Sequence, residues 1–186
     1  VSDPNVATGP NGLRVERATG ARLFGCKGPH AADWLAAQGI VIPAAPNTWS
    51  AAADGAVVAR LGTSEFFVGA GAAGGTAQRL AAARAAAAPA GVYPVLREDW
   101  AFTLAGEGAE ALLAQVCNVD FAALDLAQAP VVMTLMVGVA VLVVPQAAAT
   151  GRLYRIWCDP TYGPYLGSTL QGVVGECGGT YRGAIE

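Results

Sequence analysis

One imidazole and four thiols are the obvious sources of nucleophilic chemistry in these 186 residues. His30 lies close in sequence to Cys26. A cysteine nucleophile needs its base within hydrogen-bond reach. Here a glycine-flanked turn and Pro29 separate the two, and proline suits the first position of a helix. His30 is therefore read as a capping or solvated residue. Carboxylate pairs could do acid–base work. Asp120 and Asp125 share one loop, while Glu98 and Asp99 are adjacent and so point apart. All four are read as solvated or capping acids. No catalytic residue is assigned. With a single histidine and no CxxC spacing among Cys26, Cys117, Cys158 and Cys177, no metal site is assigned either.

Two glycine-rich stretches raise the question of anion binding. Gly71–Gly75 (GAAGG) precedes a helical segment, but it lacks the GxGxxG spacing and the lysine of a phosphate loop. It is read as a turn. Gly106–Glu110 (GEGAE) follows a strand and opens a helix, the right context for an anion at a helix N-terminus. Glu107 and Glu110 already put negative charge there, so they are read as partners of the helix dipole instead. Most aromatic residues, among them Trp34, Trp49, Trp100, Trp157, Phe66 and Phe67, fall at positions that strand or helix periodicity buries. Tyr162 and Tyr165, beside Pro160 and Pro164, are the candidate contact patch for a partner.

The elements that must position these residues are organised around Val131–Val144, an uncharged run between Pro130 and Pro145. It is too short to span a bilayer, which needs about 20 apolar residues, and too β-branched for a comfortable helix. It predicts two strands, Val131–Val137 and Val139–Val144, joined at Gly138 and buried on most sides. Upstream, Leu13–Phe24 predicts a strand ending near Leu23–Phe24, Gly25–Gly28 a turn, and Pro29–Gln38 a helix closed by Gly39. Trp49–Ala53 and Ala56–Leu61 predict a hairpin turned at Asp54-Gly55. Glu65–Gly69 follows as a strand. Thr76 then caps a helix over Ala77–Ala88. Val92–Leu96 and Trp100–Leu104 read as extended, Ala109–Val116 as a helix, and Leu153–Cys158 as a strand. The final helix, about Tyr162–Gly175, carries a stripe of Tyr165, Leu166, Thr169, Leu170, Val173 and Val174.

This order predicts an α+β fold of two βαββα-type half-repeats that share a mixed, largely antiparallel sheet core, with helices outside. The expected division is a flexible arm over 1–12, one domain over 13–175 with pseudo-halves 13–96 and 97–175, and an irregular Gly-rich tail over 176–186.

Charge is sparse: 13% of residues, with a net charge of −3, where about a quarter is ordinary. Either alanine and glycine simply dilute the charges, or the chain buries part of its outside against partners. Lys27 is the single lysine, and no basic stripe exists to bind nucleic acid. No apolar leader is visible at the N-terminus, so the four cysteines are expected to be free thiols of a cytoplasmic protein without a membrane span.

Several stretches together resemble the gamma subunit of heterotetrameric sarcosine oxidase. They are GIVIPAAP at Gly39–Pro46, RLGTSEFFVGAG from Arg60, and WAFTLAGEGAEALLAQVCNVDF from Trp100 with its Cys117…Asp120 spacing. Val131–Val144 and LYRIWCDPTYGPYLGSTLQGVV from Leu153 complete the set, and the likeness spans Leu13–Val174. It departs before the last helix, where the family has Arg-Ser-Phe and this chain has Asp159–Tyr162; a related amine dehydrogenase or demethylase complex stays open there. The resemblance implies an aminomethyltransferase-like fold and a non-catalytic subunit of an oxidoreductase complex. Such a flavoenzyme demethylates an N-methyl amino acid in one-carbon metabolism. The resemblance also implies partners, namely a large alpha subunit with beta and delta subunits. FAD, FMN, NAD, tetrahydrofolate and zinc would lie on those other subunits. The alternative is a stand-alone aminomethyltransferase-like, folate-binding protein, for which Asp120 is the one nominated pocket acid.

Overall fold

A computed structural model describes residues 12–20, 22–69, 75–87, 89–149 and 151–185. The arm expected over 1–12 lies almost wholly outside them, as do 71–74 of the Gly71–Gly75 stretch. In chain order the elements are β1 (Arg14–Ala18), β2 (Phe24–Lys27), α1 (Ala31–Ala37), β3 (Thr48–Ala51), β4 (Val57–Arg60) and β5 (Glu65–Val68). They continue as α2 (Gly75–Ala87), β6 (Tyr93–Val95), β7 (Trp100–Ala105), α3 (Ala109–Val116), β8 (Val132–Met136), β9 (Val139–Ala148), β10 (Gly151–Cys158), α4 (Gly163–Glu176) and β11 (Thr180–Arg182). The fold is α+β. Its strands form two sheets, in the orders β11-β1-β7-β10-β9-β8 and β3-β4-β5-β2-β6. The chain divides into two compact units. One takes residues up to Thr19, Trp100–Leu126 and Met133 onward; the other takes Gly20–Asp99 and Ala127–Val132.

The unit built mainly from 20–99 has an antiparallel sheet. Its hairpin turns at Asp54-Gly55 as the sequence predicts. Gly55 has φ +76°, and Asp54 Oδ1 accepts from the Ala56 N–H at 3.1 Å. The other oxygen of Asp54 accepts from the Thr76 N–H at 2.9 Å. The start of α2 is thus held by a carboxylate from a distant turn, and Thr76, expected to cap the helix from outside, lies within it. Phe24, Cys26, Leu35, Val58, Phe66, Val68 and Leu80 form one buried cluster, to which α1 and α2 contribute their inner faces. Gly25–Gly28 is not simply a turn: Gly25, Cys26 and Lys27 belong to β2, between β5 and β6. A Cβ at Gly25 would lie 2.8 Å from the Val95 carbonyl oxygen. The glycine is there so that a neighbouring strand can approach.

In the other unit α3 and α4 bury apolar faces, Leu112, Leu113 and Val116 from α3 and Leu166, Leu170 and Val174 from α4. The α4 face also contains Gly163 and Gly167. A Cβ at Gly163 would sit 2.2 Å from the Trp100 ring, so the indole packs on bare backbone. Tyr165, predicted within the buried stripe, is exposed. The tail is not irregular throughout: β11 pairs in parallel with β1. Arg17 reinforces that end, lying over the Trp100 ring at 3.2 Å and donating to the Ala184 carbonyl at 2.5 Å. β1, from the first expected half, pairs with β7 of the second and with β11 of the expected tail.

The run at the centre of the sequence does form a hairpin. Val137 (φ +45°) and Gly138 (φ +86°) make its two-residue turn, both left-handed as a type I′ turn requires. The expectation of burial on most sides is corrected. β8 is the edge of its sheet, and Met133 and Leu135 are 54% and 60% exposed. A period-two strand at an edge can bury only one face. β9 runs on through Pro145, which the sheet tolerates because β8 is too short to pair there.

Candidate functional site

The sequence nominated residues in several places, and their surroundings decide what each can do. Cys26 is fully buried, and burial pushes its thiol up to about 12 against the pull of Arg84. Such a thiol stays protonated near neutral pH and is closed to reagents. His30 is exposed and precedes α1 without a side-chain capping bond. Its ring lies against Gly91, where a Cβ would come within 2.4 Å of Cδ2. The two do not make a nucleophile and base. No disulfide joins any of the four cysteines. Among the described residues no group of three or more His, Cys, Asp or Glu side chains could hold a metal ion.

The carboxylates hold structure together. Asp120 is exposed, and its Oδ1 accepts from the N–H groups of Ala122 and Ala123 at 3.1 and 3.3 Å. It thereby shapes the loop that it shares with exposed Asp125. Asp99 lies 3.8 Å from Arg97, which also pairs with Glu65 at 3.2 Å, while Glu98 faces solvent. Glu110, in the first turn of α3, accepts from the Tyr154 hydroxyl at 2.7 Å. Burial first, and then Glu110, drives the Tyr154 phenol well above its ordinary value. Arg152 approaches the same carboxylate oxygen at 3.9 Å and donates to the Phe121 and Ala122 carbonyls at 2.6 and 3.2 Å. This cluster pins the 117–126 loop to β10. Sequence reasoning did not single out Tyr154 or Arg152; the alternation of LYRIWC was their only signal.

Arg60, in the RLG stretch, also serves the fold. Its guanidinium donates to the carbonyls of Pro43, Ala44, Gly62 and Thr63 at 3.2, 3.4, 3.4 and 2.9 Å. One planar fork thus satisfies two loops whose own backbones leave those acceptors over.

What remains is a surface. Tyr162 and Tyr165 are 54% and 53% exposed at the start of α4. Asp159 sets that start by accepting from the Thr161 N–H at 2.8 Å; the Thr161 hydroxyl first, and then that N–H, hold its carboxyl below the usual range. Tyr165 reaches the hairpin: its hydroxyl donates to the Val137 carbonyl at 3.3 Å, while the Val137 N–H donates to Val116 at 2.8 Å. The same unit therefore exposes two tyrosines, Met133 and Leu135. Among the described residues no helix is long and apolar enough to cross a membrane.

No family model matches the chain, and no curated protein matches it in sequence. Solved structures do. A chain of heterotetrameric sarcosine oxidase from Corynebacterium sp. U-96, in complex with pyrrole 2-carboxylate, superimposes with a TM-score of 0.64 at 19% identity. The match covers 87% of this chain and 83% of that one. Glycine cleavage system aminomethyltransferase T from Bartonella henselae gives a TM-score of 0.65 at 15% identity, covering 93% of this chain and 48% of that one. This chain thus spans about half the length of that aminomethyltransferase. At such identities the likeness is one of fold, and the fold is aminomethyltransferase-like.

Proposed function

We propose that this chain is a non-catalytic structural subunit of a multi-subunit flavoenzyme of the sarcosine oxidase type. In this reading the complex oxidatively demethylates an N-methyl amino acid and passes the one-carbon unit to tetrahydrofolate. One observation carries it: the chain superimposes on most of a sarcosine oxidase chain of comparable length, covering 83% of that chain. The residue chemistry supports it. Cys26, Asp120, Glu110 and Arg60 are occupied in packing or hydrogen bonds, and the exposed side chains that stand out are apolar. FAD, FMN, NAD, tetrahydrofolate and zinc then belong to the alpha, beta and delta subunits. Tyr162 and Tyr165 belong to the contact with a partner, the large alpha subunit first.

The aminomethyltransferase T match, over 93% of this chain, favours a second reading, a folate-binding protein that acts alone. Asp120 would be its pocket acid, although that carboxylate is exposed and already engaged by two backbone amides. Producing the chain alone, and together with a candidate large flavin-bearing subunit, separates the two. The subunit reading expects co-elution with flavin absorbance and no heat of tetrahydrofolate binding to the isolated chain. A monomer that binds tetrahydrofolate and ignores the flavin subunit overturns it.

A further inference from the structure

We draw no further inference here: the strongest candidate, the apolar outer face of the β8–β9 hairpin with Met133 and Leu135, has nothing in the structure to show what covers it.

Discussion

Arg60 shows how much of this fold hangs on single side chains. Its four acceptors are backbone carbonyls from two loops. Hydrogen bonds from a charged donor contribute about 1.5–3 kcal/mol each where the partner stays desolvated, and less where water replaces it. Arg60→Met should lower the unfolding free energy in urea by about 2–3 kcal/mol, and Arg60→Lys should recover little, because an ammonium cannot fork. A loss under about 0.5 kcal/mol would mean that water serves those carbonyls equally well. Two tyrosines offer an internal comparison. Tyr154→Phe strips Glu110 of its donor and should cost about 1–3 kcal/mol. The Tyr181 hydroxyl is buried without a partner, so Tyr181→Phe should be neutral or stabilising by the same urea titration. Equal losses would refute that asymmetry. Asp54 brings a pH dependence. Desolvation alone would raise its pKa, but the bonds from Thr76 and Ala56 win and lower it. A depressed carboxylate stabilises the fold above its unfolded pKa, about 3.9, and that stabilisation fades as pH falls through the lower folded value. Between pH 5 and pH 2, Asp54→Asn should therefore lose less stability than the parent chain. Parallel acid limbs would place the sensitivity elsewhere.

At the level of elements, the β8–β9 turn is the place where local preference and structure disagree. Type I′ turns favour Asn-Gly, and a β-branched residue at φ +45° is strained. Val137→Asn should raise stability by about 1 kcal/mol in thermal and urea unfolding, since the carbonyl that Tyr165 grips is retained. A destabilised variant would mean that the packing of the valine side chain outweighs the turn. The same contrast explains what could be read beforehand. The Asp54-Gly55 hairpin and α3 are legible because their signals are local: turn residues in one case, helical periodicity in the other. β2 is only half legible because Gly25 is explained only by Val95, far along the chain. β11 leaves no local signal, because a short, glycine-flanked segment becomes a strand only when β1 lies beside it. Periodicity puts Tyr165 on the buried stripe because it cannot foresee that Gly163 and Gly167 fill that face. Of that unit's exposed large apolar side chains, the sequence offers Tyr162 and Tyr165 but not Met133 and Leu135. Exposure at a sheet edge follows from strand order, which no local pattern encodes.

Taken whole, the molecule is defended unevenly. Exposed sheet edges are commonly protected by charge, proline or bulges. β6 carries Pro94, but β8 has no charge along its length and holds Leu135 open to solvent. Leu135→Lys should leave thermal stability within about 0.5 kcal/mol, as exposed substitutions do, and should lower the light scattering of the isolated chain at high concentration. Unchanged scattering would locate self-association on another surface.

The two sheets also differ in when they can exist. β2 through β6 are consecutive, so a ribosome delivers every strand of that sheet in one stretch. β1 emerges before that stretch, yet its neighbours β7 and β11 lie on the far side of it. Folding during translation therefore lets the later-starting sheet close early, while β1 waits for partners made much later.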